Sequence, residues 1–366
     1  MAFELPKLVD LTDDQNNILF APLDKNMIVQ GPPGTGKSVL AIYRAADLSK
    51  AKRKILLLVY NRPLKMYIEK TIRRQGICAE VASYTGWLYS IYRDHHLDRP
   101  EFREEWDYSK VVEDFKEIGQ IYDVILIDEA QDLPLNLIKA LTYIGKNVEC
   151  FMDVGQRIQN NERIGNADVA RALNINSMYT LEQNFRNTEE ILNYAQLYNN
   201  SGQDIETMTT GEKPFIKKCA SLEEEYGYIT DVINANSTRT IGIFTSYNQI
   251  EDVWEEIKAR TPSQIPIHVY NSNNKEHQKI DFETNGVFIL TTGCMKGLEF
   301  DVVIIPEFNK LYGRKDPEVN KNTFYVAVTR AAEEVFCFYT EEGTKTGNID
   351  VFGPLVGHED VVEWEK

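Results

Sequence analysis

GPPGTGKS, residues 31–38, stands between an apolar run, MIVQ (27–30), and a helical pattern, VLAIYRAADL (39–48). It fits the pattern G-x-x-x-x-G-K-S/T in the strand-to-helix context that this motif requires. Such a glycine-rich loop turns backbone N–H groups and a helix N-terminus towards phosphate oxygens. Lys37 is predicted to reach the β- and γ-phosphates of a nucleotide, and Ser38 to bind Mg²⁺. The rest of the predicted phosphate cradle is Gly31, Gly34, Thr35 and Gly36.

A second signal, a pair of acidic residues, begins 90 residues after Ser38. The apolar strand pattern VILI (124–127) ends in Asp128 and Glu129. In a P-loop fold, a carboxylate at a strand tip suits Mg²⁺, and its neighbour suits the base that orients the attacking water. We therefore predict that Asp128 binds Mg²⁺ and that Glu129 is the catalytic base. Hydrolysis of a nucleoside triphosphate is the expected reaction.

Short β-rich apolar runs alternate with longer amphipathic stretches in both halves of the chain. This alternation predicts βαβ units and parallel sheets, and thus an α/β fold with two domains in tandem. We place the domains at residues 1–178 and 179–366. The predicted strands are 26–30, 54–60, 80–83, 123–128 and 148–153, followed by 215–220, 240–245, 266–270, 286–291, 301–306 and 334–339. The polar segments 199–213 and 271–284 are predicted loops.

The composition narrows the classes of partner. The 366 residues carry a formal net charge of −16, which argues against a surface that binds nucleic acid throughout but allows a local basic groove. No apolar run reaches the roughly 18 residues of a membrane span, and the opening residues lack the pattern of a secretory signal. The five cysteines are scattered without a CxxC pair. We therefore expect a cytoplasmic protein with reduced cysteines, no membrane partner and no zinc site.

Six segments extend the pattern beyond the P-loop. They are LTDDQNNIL (11–19), DEAQD (128–132), DVGQ (153–156), LEQNFRNT (181–188), KGLEFD (296–301) and YVAVTRA (325–331). In order and spacing they resemble the Q motif and motifs II to VI of superfamily 1 DNA helicases of the UvrD/Rep/PcrA type. The resemblance implies two tandem RecA-like P-loop domains that use ATP and Mg²⁺.

The resemblance also implies which residues contact the nucleoside. Gln15 would hydrogen-bond to adenine, and Phe185 would stack on it. Glu299 is expected at the ribose, and its neighbour Gly297 belongs to the same nucleotide-binding motif. Together these residues imply a preference for ATP.

Three further residues are implied at the γ-phosphate. Gln156 would sense this group, Arg186 would contact it, and Arg330 would act as an arginine finger. Negative charge that develops on the transferred phosphoryl group calls for cations from outside the P-loop domain. Arg186 and Arg330 belong to the second series of strands, so we expect them to reach the nucleotide only when the two domains close.

Candidates for nucleic-acid contacts lie where motifs Ia, Ib and V are expected. Binding of single strands combines contacts to the backbone with bases stacked on aromatic rings. Tyr84 or Trp87 is predicted to stack on a base, and Thr85 to bond to a phosphate. Packing in the domain core is the alternative for both aromatic residues. The full set is Asn61, Arg62, Tyr84, Thr85, Trp87 and Thr291.

The spacing of the motifs indicates a minimal form, because the two gaps that hold accessory domains in full-size relatives are short here. We predict an ATP-driven translocase or helicase on single-stranded nucleic acid, DNA more than RNA, that moves 3′ to 5′. The alternative is an ATPase switch that remodels a protein partner such as a nuclease or an RNA polymerase. A small-molecule kinase would leave motifs IV to VI unexplained.

We also make predictions for two smaller segments. A small insertion is expected around residues 87–122. The acidic segment 341–366 would repel phosphate, and we expect a frayed tail there. A docking patch around Val361, Val362 and Trp364 is the alternative.

Overall fold

The computed structural model describes residues 5–100, 105–153, 165–198, 205–282, 284–310, 317–341 and 352–365. These residues form two compact units. The N-terminal unit comprises residues 5–153 and 165–182, and the C-terminal unit comprises the described residues from 183 onwards. The division proposed at 178/179 lies four residues before this change of unit.

The N-terminal unit is built on one parallel sheet. In its described residues six strands lie in the order β3-β2-β4-β5-β1-β6, and every neighbouring pair is parallel. The strands are β1 (Met27–Gln30), β2 (Ile55–Val59), β3 (Glu80–Ser83), β4 (Tyr122–Ile127), β5 (Gly145–Met152) and β6 (Tyr179–Thr180). The helices are α1 (Asp13–Leu19), α2 (Lys37–Lys50), α3 (Arg62–Arg74), α4 (Tyr84–Asp94), α5 (Tyr108–Ile118), α6 (Leu135–Ile144) and α7 (Asn166–Leu173).

The strand sequences explain why this sheet is buried. β2 reads ILLLV and is buried along its whole length, as expected for a strand covered by helices on both faces. The helix starts have local signals: Thr12 and Gln15 form a capping box at α1, and the Asn61 side chain accepts a hydrogen bond from Leu64 N at α3. Pattern and capping thus agree on where these elements begin.

The C-terminal unit contains a larger parallel sheet. Its described strands lie in the order β11-β12-β10-β13-β14-β9-β15, and β7 and β8 form a separate two-stranded sheet. All pairs are parallel. The strands are β7 (Gln183–Asn184), β8 (Glu206–Thr207), β9 (Phe215–Cys219), β10 (Thr240–Thr245), β11 (Ile267–Tyr270), β12 (Gly286–Thr291), β13 (Phe300–Ile305), β14 (Ala331–Thr340) and β15 (Glu363–Glu365). The helices are α8 (Glu189–Gln196), α9 (Leu222–Ala235), α10 (Ile250–Arg260) and α11 (Pro317–Val328).

The prediction of an α/β fold with parallel sheets in tandem is confirmed. Among the described helices, none combines the length and the apolar character that a membrane span requires. The predicted strands are all present, with ends shifted by at most three residues; the largest shifts are at the starts of β5, at Gly145, and β14, at Ala331. The predicted loop 199–213 contains the short strand β8 in its described part.

The prediction of a frayed C-terminal tail is wrong for residues 352–365. β15 pairs with β9, with Glu363 opposite Phe215 and Glu365 opposite Lys217. The ring of Trp364 stacks on that of Phe352 at a centroid distance of 5.5 Å. The sequence pattern did not indicate this strand, because three residues are too few to show a period and its partner strand is 148 residues away.

The expected insertion around residues 87–122 is also part of the N-terminal core. α4 and α5 pack their apolar faces on the sheet, and Trp87, Leu88, Val111 and Phe115 belong to one buried cluster with strand residues. α4 and α5 therefore complete the core of this unit.

Candidate functional site

The predicted phosphate and metal ligands meet at one edge of the N-terminal sheet. Among them, Gly31 follows β1 and Asp128 follows β4; Asp153, which was not a predicted ligand, follows β5. These three strands are neighbours and run parallel, so their carboxyl ends lie side by side. Ligands of open α/β sheets bind at this edge.

The backbone of residues 31–38 is shaped as a cradle. Gly34 and Gly36 have φ values of 73° and 87°, in the left-handed region that favours glycine. A Cβ atom at Gly31 would lie 2.8 Å from Leu181 O, and one at Gly36 would lie 2.9 Å from Gln15 Nε2. Only glycine fits both positions, so this loop is suited to bring its N–H groups close to a phosphate.

Lys37 begins α2 and its side chain lies along the loop. Its ammonium group donates hydrogen bonds of 2.7 Å to the carbonyl oxygens of Gly31 and Pro32. The side chain is buried. A positive charge is thus held at the cradle, where the predicted contact with the β- and γ-phosphates requires it.

Ser38 and Asp128 are brought together although 90 residues separate them. The Ser38 hydroxyl donates a 2.7 Å hydrogen bond to Asp128 Oδ2. Burial and the neighbouring Glu129 carboxylate raise the pKa of Asp128 to about 7, while Ser38 and Lys37 oppose the shift. One hydroxyl and one carboxylate form a hard oxygen donor set that fits Mg²⁺ bound chiefly by substrate phosphates and water.

Glu129 is held in position by a residue to which sequence reasoning gave no role. Gln131 donates a 2.6 Å hydrogen bond from Nε2 to Glu129 Oε2. Its Oε1 accepts a 2.9 Å hydrogen bond from Asp153 N. Glu129 itself has a φ of 55°, an unusual value for a residue other than glycine. Gln131 lies in DEAQD (128–132), so the motif contained the signal, but its link to β5 required the fold.

Gln15 contacts the cradle from α1. Its Oε1 accepts a hydrogen bond from Thr12 N at 3.0 Å, and its Nε2 donates to Thr35 O at 3.1 Å. Both ends of the amide are therefore used within the protein, and each retains capacity for one more hydrogen bond. The contact with adenine stays a prediction.

A second group of predicted residues meets in the C-terminal unit. Glu299 directly precedes β13 and Arg330 directly precedes β14. These strands are parallel neighbours, with Phe300 opposite Ala331, so the residues before them lie at the same amino edge. Arg186, after β7, reaches this edge: its Nε and Nη2 atoms each lie 2.9 Å from Glu299 Oε2.

Arg330 is only 2% exposed. Its guanidinium donates to the carbonyl oxygens of Val326 at 3.1 Å and Leu298 at 3.5 Å, and to the Thr329 hydroxyl at 3.4 Å. It is therefore packed within its own unit. A role as an arginine finger requires some of these contacts to be exchanged.

Two asparagines that sequence reasoning did not single out shape the loop around Arg186. Asn184 Oδ1 accepts hydrogen bonds of 2.8 Å from the backbone N–H groups of Arg186 and Asn187. Asn187 Nδ2 donates to the carbonyl oxygens of Thr329 and Ala331 at 3.1 and 2.5 Å. Asn187 of the LEQNFRNT segment therefore links motif IV to motif VI by hydrogen bonds. The spacing of the motifs in the sequence could not show this link.

Phe185 and Gly297 are compatible with their predicted roles, which stay predictions. Phe185 is 47% exposed, so its ring is available for stacking. Gly297 has a φ of 78° in the turn that leads to Glu299. Gln156 lies outside the described residues.

The candidates for nucleic-acid contacts separate into accessible and buried residues. Arg62 and Thr85 are exposed and Tyr84 is half-buried, with the Tyr84 ring stacked against Tyr60 at 6.2 Å. Asn61 serves as the N-cap of α3. Thr291 is buried at the end of β12.

The prediction that Trp87 could stack on a base is wrong. Its side chain is only 3% exposed, its Nε1 donates to Tyr122 Oη at 3.3 Å, and its ring packs edge-on against Phe115. The core alternative therefore holds for Trp87, because the first turns of α4 point it into the unit. It is not available to stack on a base.

Comparison with known protein families gives two matches. Residues 24–306 match the Schlafen group 3, DNA/RNA helicase domain, and residues 286–337 match the UvrD-like helicase C-terminal domain. The second match covers motif V and motif VI. Together they support a helicase family without singling out the UvrD/Rep/PcrA type.

Two individual proteins are also similar. Over 122 residues the chain is 30% identical to "Putative helicase 22" of the Sulfolobus islandicus filamentous virus (isolate Iceland/Hveragerdi), a match that covers 32% of this chain and 22% of that protein. A crystal structure of the C-terminal domain of a "possible DNA helicase" from Lactobacillus plantarum WCFS1 is 19% identical, with a TM-score of 0.38 over 50% of this chain and 99% of the other.

The chain spans about a fifth of the length of the viral relative, so that protein's activity cannot be transferred as a whole. The family match is broader, since residues 24–306 are more than half of the chain. Its helicase class agrees with the tandem α/β units. The chain therefore belongs to the Schlafen group 3 family of DNA/RNA helicase domains, with two tandem RecA-like units.

Proposed function

We propose that the chain is an ATP-dependent translocase or helicase on single-stranded nucleic acid, DNA in preference to RNA, that moves 3′ to 5′. The observation that carries this proposal is that the charged residues of the predicted active site are divided between the two units. Lys37, Ser38, Asp128 and Glu129 lie at one edge of the N-terminal sheet. The two predicted phosphate-binding arginines, Arg186 and Arg330, belong to the C-terminal unit.

In the proposed hydrolysis each group in the N-terminal unit has one task. Lys37 exchanges its carbonyl partners for oxygens of the β- and γ-phosphates. Ser38 and Asp128 would hold Mg²⁺, which would neutralise charge on the phosphates. Glu129, positioned by Gln131, accepts a hydrogen bond from the attacking water and orients it towards the γ-phosphate.

The C-terminal unit would supply the missing positive charge. Arg186 and Arg330 would reach the γ-phosphate when the units close, so that hydrolysis requires closure and product release permits opening. Gln15 and Phe185 would select adenine, and Glu299 would contact the ribose. Cycles of closure and opening would then move a strand held along Arg62, Tyr84 and Thr85.

The test is the ATPase rate of the purified chain with and without poly(dT) and poly(U). We expect strong stimulation, larger with DNA than with RNA, and none in Lys37→Ala. Arg62→Ala should weaken the stimulation. Arg74→Ala is the matched control, because it removes an exposed arginine at the other end of α3. The proposal would be contradicted if wild type did not hydrolyse ATP, or if Arg62→Ala and Arg74→Ala had equal effects on the stimulation.

The second candidate is an ATPase switch that remodels a protein partner such as a nuclease or polymerase. The burial of Trp87 favours it, because that burial removes one of the two aromatic rings predicted to stack on bases. ATP hydrolysis that is indifferent to either polynucleotide would support the switch over the translocase.

A further inference from the structure

Arg186 already has an anionic partner within its own unit. Its Nε and Nη2 atoms both contact Glu299 Oε2 at 2.9 Å, and its Nη1 lies 3.4 Å from Thr329 O. The side chains of Arg186 and Glu299 are 16% and 38% exposed. Charge-assisted contacts of this kind are the stronger class of hydrogen bond.

This contact conflicts with the proposed task of Arg186. A guanidinium has five N–H donors in a fixed plane, and the edge formed by Nε and Nη2 is one of its two edges that can bind an oxyanion in bidentate fashion. Here that edge faces a carboxylate oxygen. A γ-phosphate therefore has to displace Glu299 from this edge or use the edge formed by Nη1 and Nη2, where Nη1 lies 3.4 Å from Thr329 O and Nη2 is shared with Glu299.

The backbone N–H of Arg186 is held by a hydrogen bond, so we place the exchange in the side chain. Asn184 Oδ1 accepts from Arg186 N at 2.8 Å, and the same oxygen accepts from Asn187 N. Asn187 is in turn bonded to the carbonyl oxygens before and at the start of β14. The side-chain torsions of Arg186 would then turn the guanidinium from Glu299 to a phosphate.

We propose that Glu299 is a positioning residue that competes with the γ-phosphate for Arg186. The carboxylate holds the guanidinium until a triphosphate replaces it, and the cost of breaking the pair reduces the preference for triphosphate over diphosphate. This inference rests on the proposed function, in which Arg186 binds the γ-phosphate. It adds a role for Glu299 that is separate from a ribose contact.

The two roles of Glu299, contact with the ribose and competition for Arg186, predict different changes in nucleotide affinity. ATP and ADP carry the same ribose, so loss of a ribose contact weakens both equally. Release of Arg186 favours only the nucleotide that has a γ-phosphate. The ratio Kd(ADP)/Kd(AMP-PNP) therefore isolates the competition. For a partly exposed ion pair we expect Glu299→Gln to raise this ratio about two- to fivefold.

The experiment measures both affinities by calorimetry for the whole chain with Mg²⁺. It compares wild type, Glu299→Gln, Arg186→Ala and the double variant. In the Arg186→Ala background, Glu299→Gln should leave the ratio unchanged, because no guanidinium remains to be released. Glu223→Gln is the matched control: it removes one of two carboxylates from Arg260, on α9 and α10, and should not change the ratio.

Three results would overturn the inference. An unchanged or lower ratio in Glu299→Gln shows that the pair does not oppose triphosphate binding. A higher ratio in both backgrounds shows simple repulsion between Glu299 and the phosphate. A wild-type ratio that Arg186→Ala does not lower contradicts the proposed contact of Arg186 with the γ-phosphate, which is a failure of the proposed function itself.

Discussion

Arg44 and Glu149 form an ion pair in the interior of the N-terminal unit. Arg44 Nε lies 3.0 Å from Glu149 Oε2 and Nη2 lies 2.5 Å from Oε1, with both side chains fully buried. Arg44 also donates to the carbonyl oxygens of Leu19, Ala21 and Pro22 at 3.3, 2.7 and 3.2 Å. The pair thus connects α2, β5 and the segment after α1, the helix that carries Gln15.

The expected cost of breaking this pair follows from its burial. Removal of one partner from a buried pair leaves an uncompensated charge and costs about 3–5 kcal/mol. Burial raises the pKa of Glu149, and the Arg44 guanidinium opposes this shift because it favours the charged carboxylate. Glu149→Gln should fall at the lower end of this range. Arg44→Met should reach the upper end, because three carbonyl oxygens also lose their donors.

The measurement is urea unfolding of the N-terminal unit, combined with nucleotide affinity. Asp47→Asn is the matched control, since it breaks an exposed pair with Lys50 on the same helix and should cost less than about 1 kcal/mol. Arg44→Met combined with Glu149→Met should be less destabilising than Arg44→Met alone, because no buried carboxylate remains. If Glu149→Gln costs no more than Asp47→Asn, the reasoning from buried charge is refuted.

Three further predictions concern turnover and specificity. Glu129→Gln should abolish ATP hydrolysis while nucleotide still binds, because the base is lost and the phosphate contacts remain; normal turnover would exclude Glu129 as the base. Phe185→Ala should raise KM for ATP by an amount equivalent to about 0.5–1.5 kcal/mol, and equal use of ATP and UTP by wild type would show that no adenine contact exists. Arg330→Ala should lower turnover by about 10³–10⁵-fold with little loss of affinity, and the reverse pattern would make Arg330 a binding residue.

Local patterns were sufficient where neighbours along the chain determine the conformation. The loop at residues 31–38 needs glycine at its left-handed positions and a helix directly after it. The glycines and the helical pattern can both be read from the sequence. The apolar runs that became β2 and β4 are long enough to exclude a surface location. The order of strands and helices then restricted the fold to parallel α/β units.

Partners far apart in the chain could not be found in this way. Gln131 was visible as a letter of motif II, but its hydrogen bond to Asp153 depends on β4 and β5 being neighbours. Trp87 had two interpretations of equal weight, and only the packing of α4 against Phe115 decided between them. The C-terminal strand was missed because pairing with β9, rather than any local preference, gives it an extended conformation.

The sequence by itself determined the chemistry that could occur: a phosphate loop, an acidic pair after a strand, and two arginines in the second half of the chain. Only the tertiary structure decided that Ser38 meets Asp128, that Arg44 is paired with Glu149 and that Arg186 rests on Glu299. The physical reason is that residue type and local period set what a side chain can bind and which way it faces. The pairing of parallel strands, which brings distant chain segments to the same edge of a sheet, sets what it actually meets.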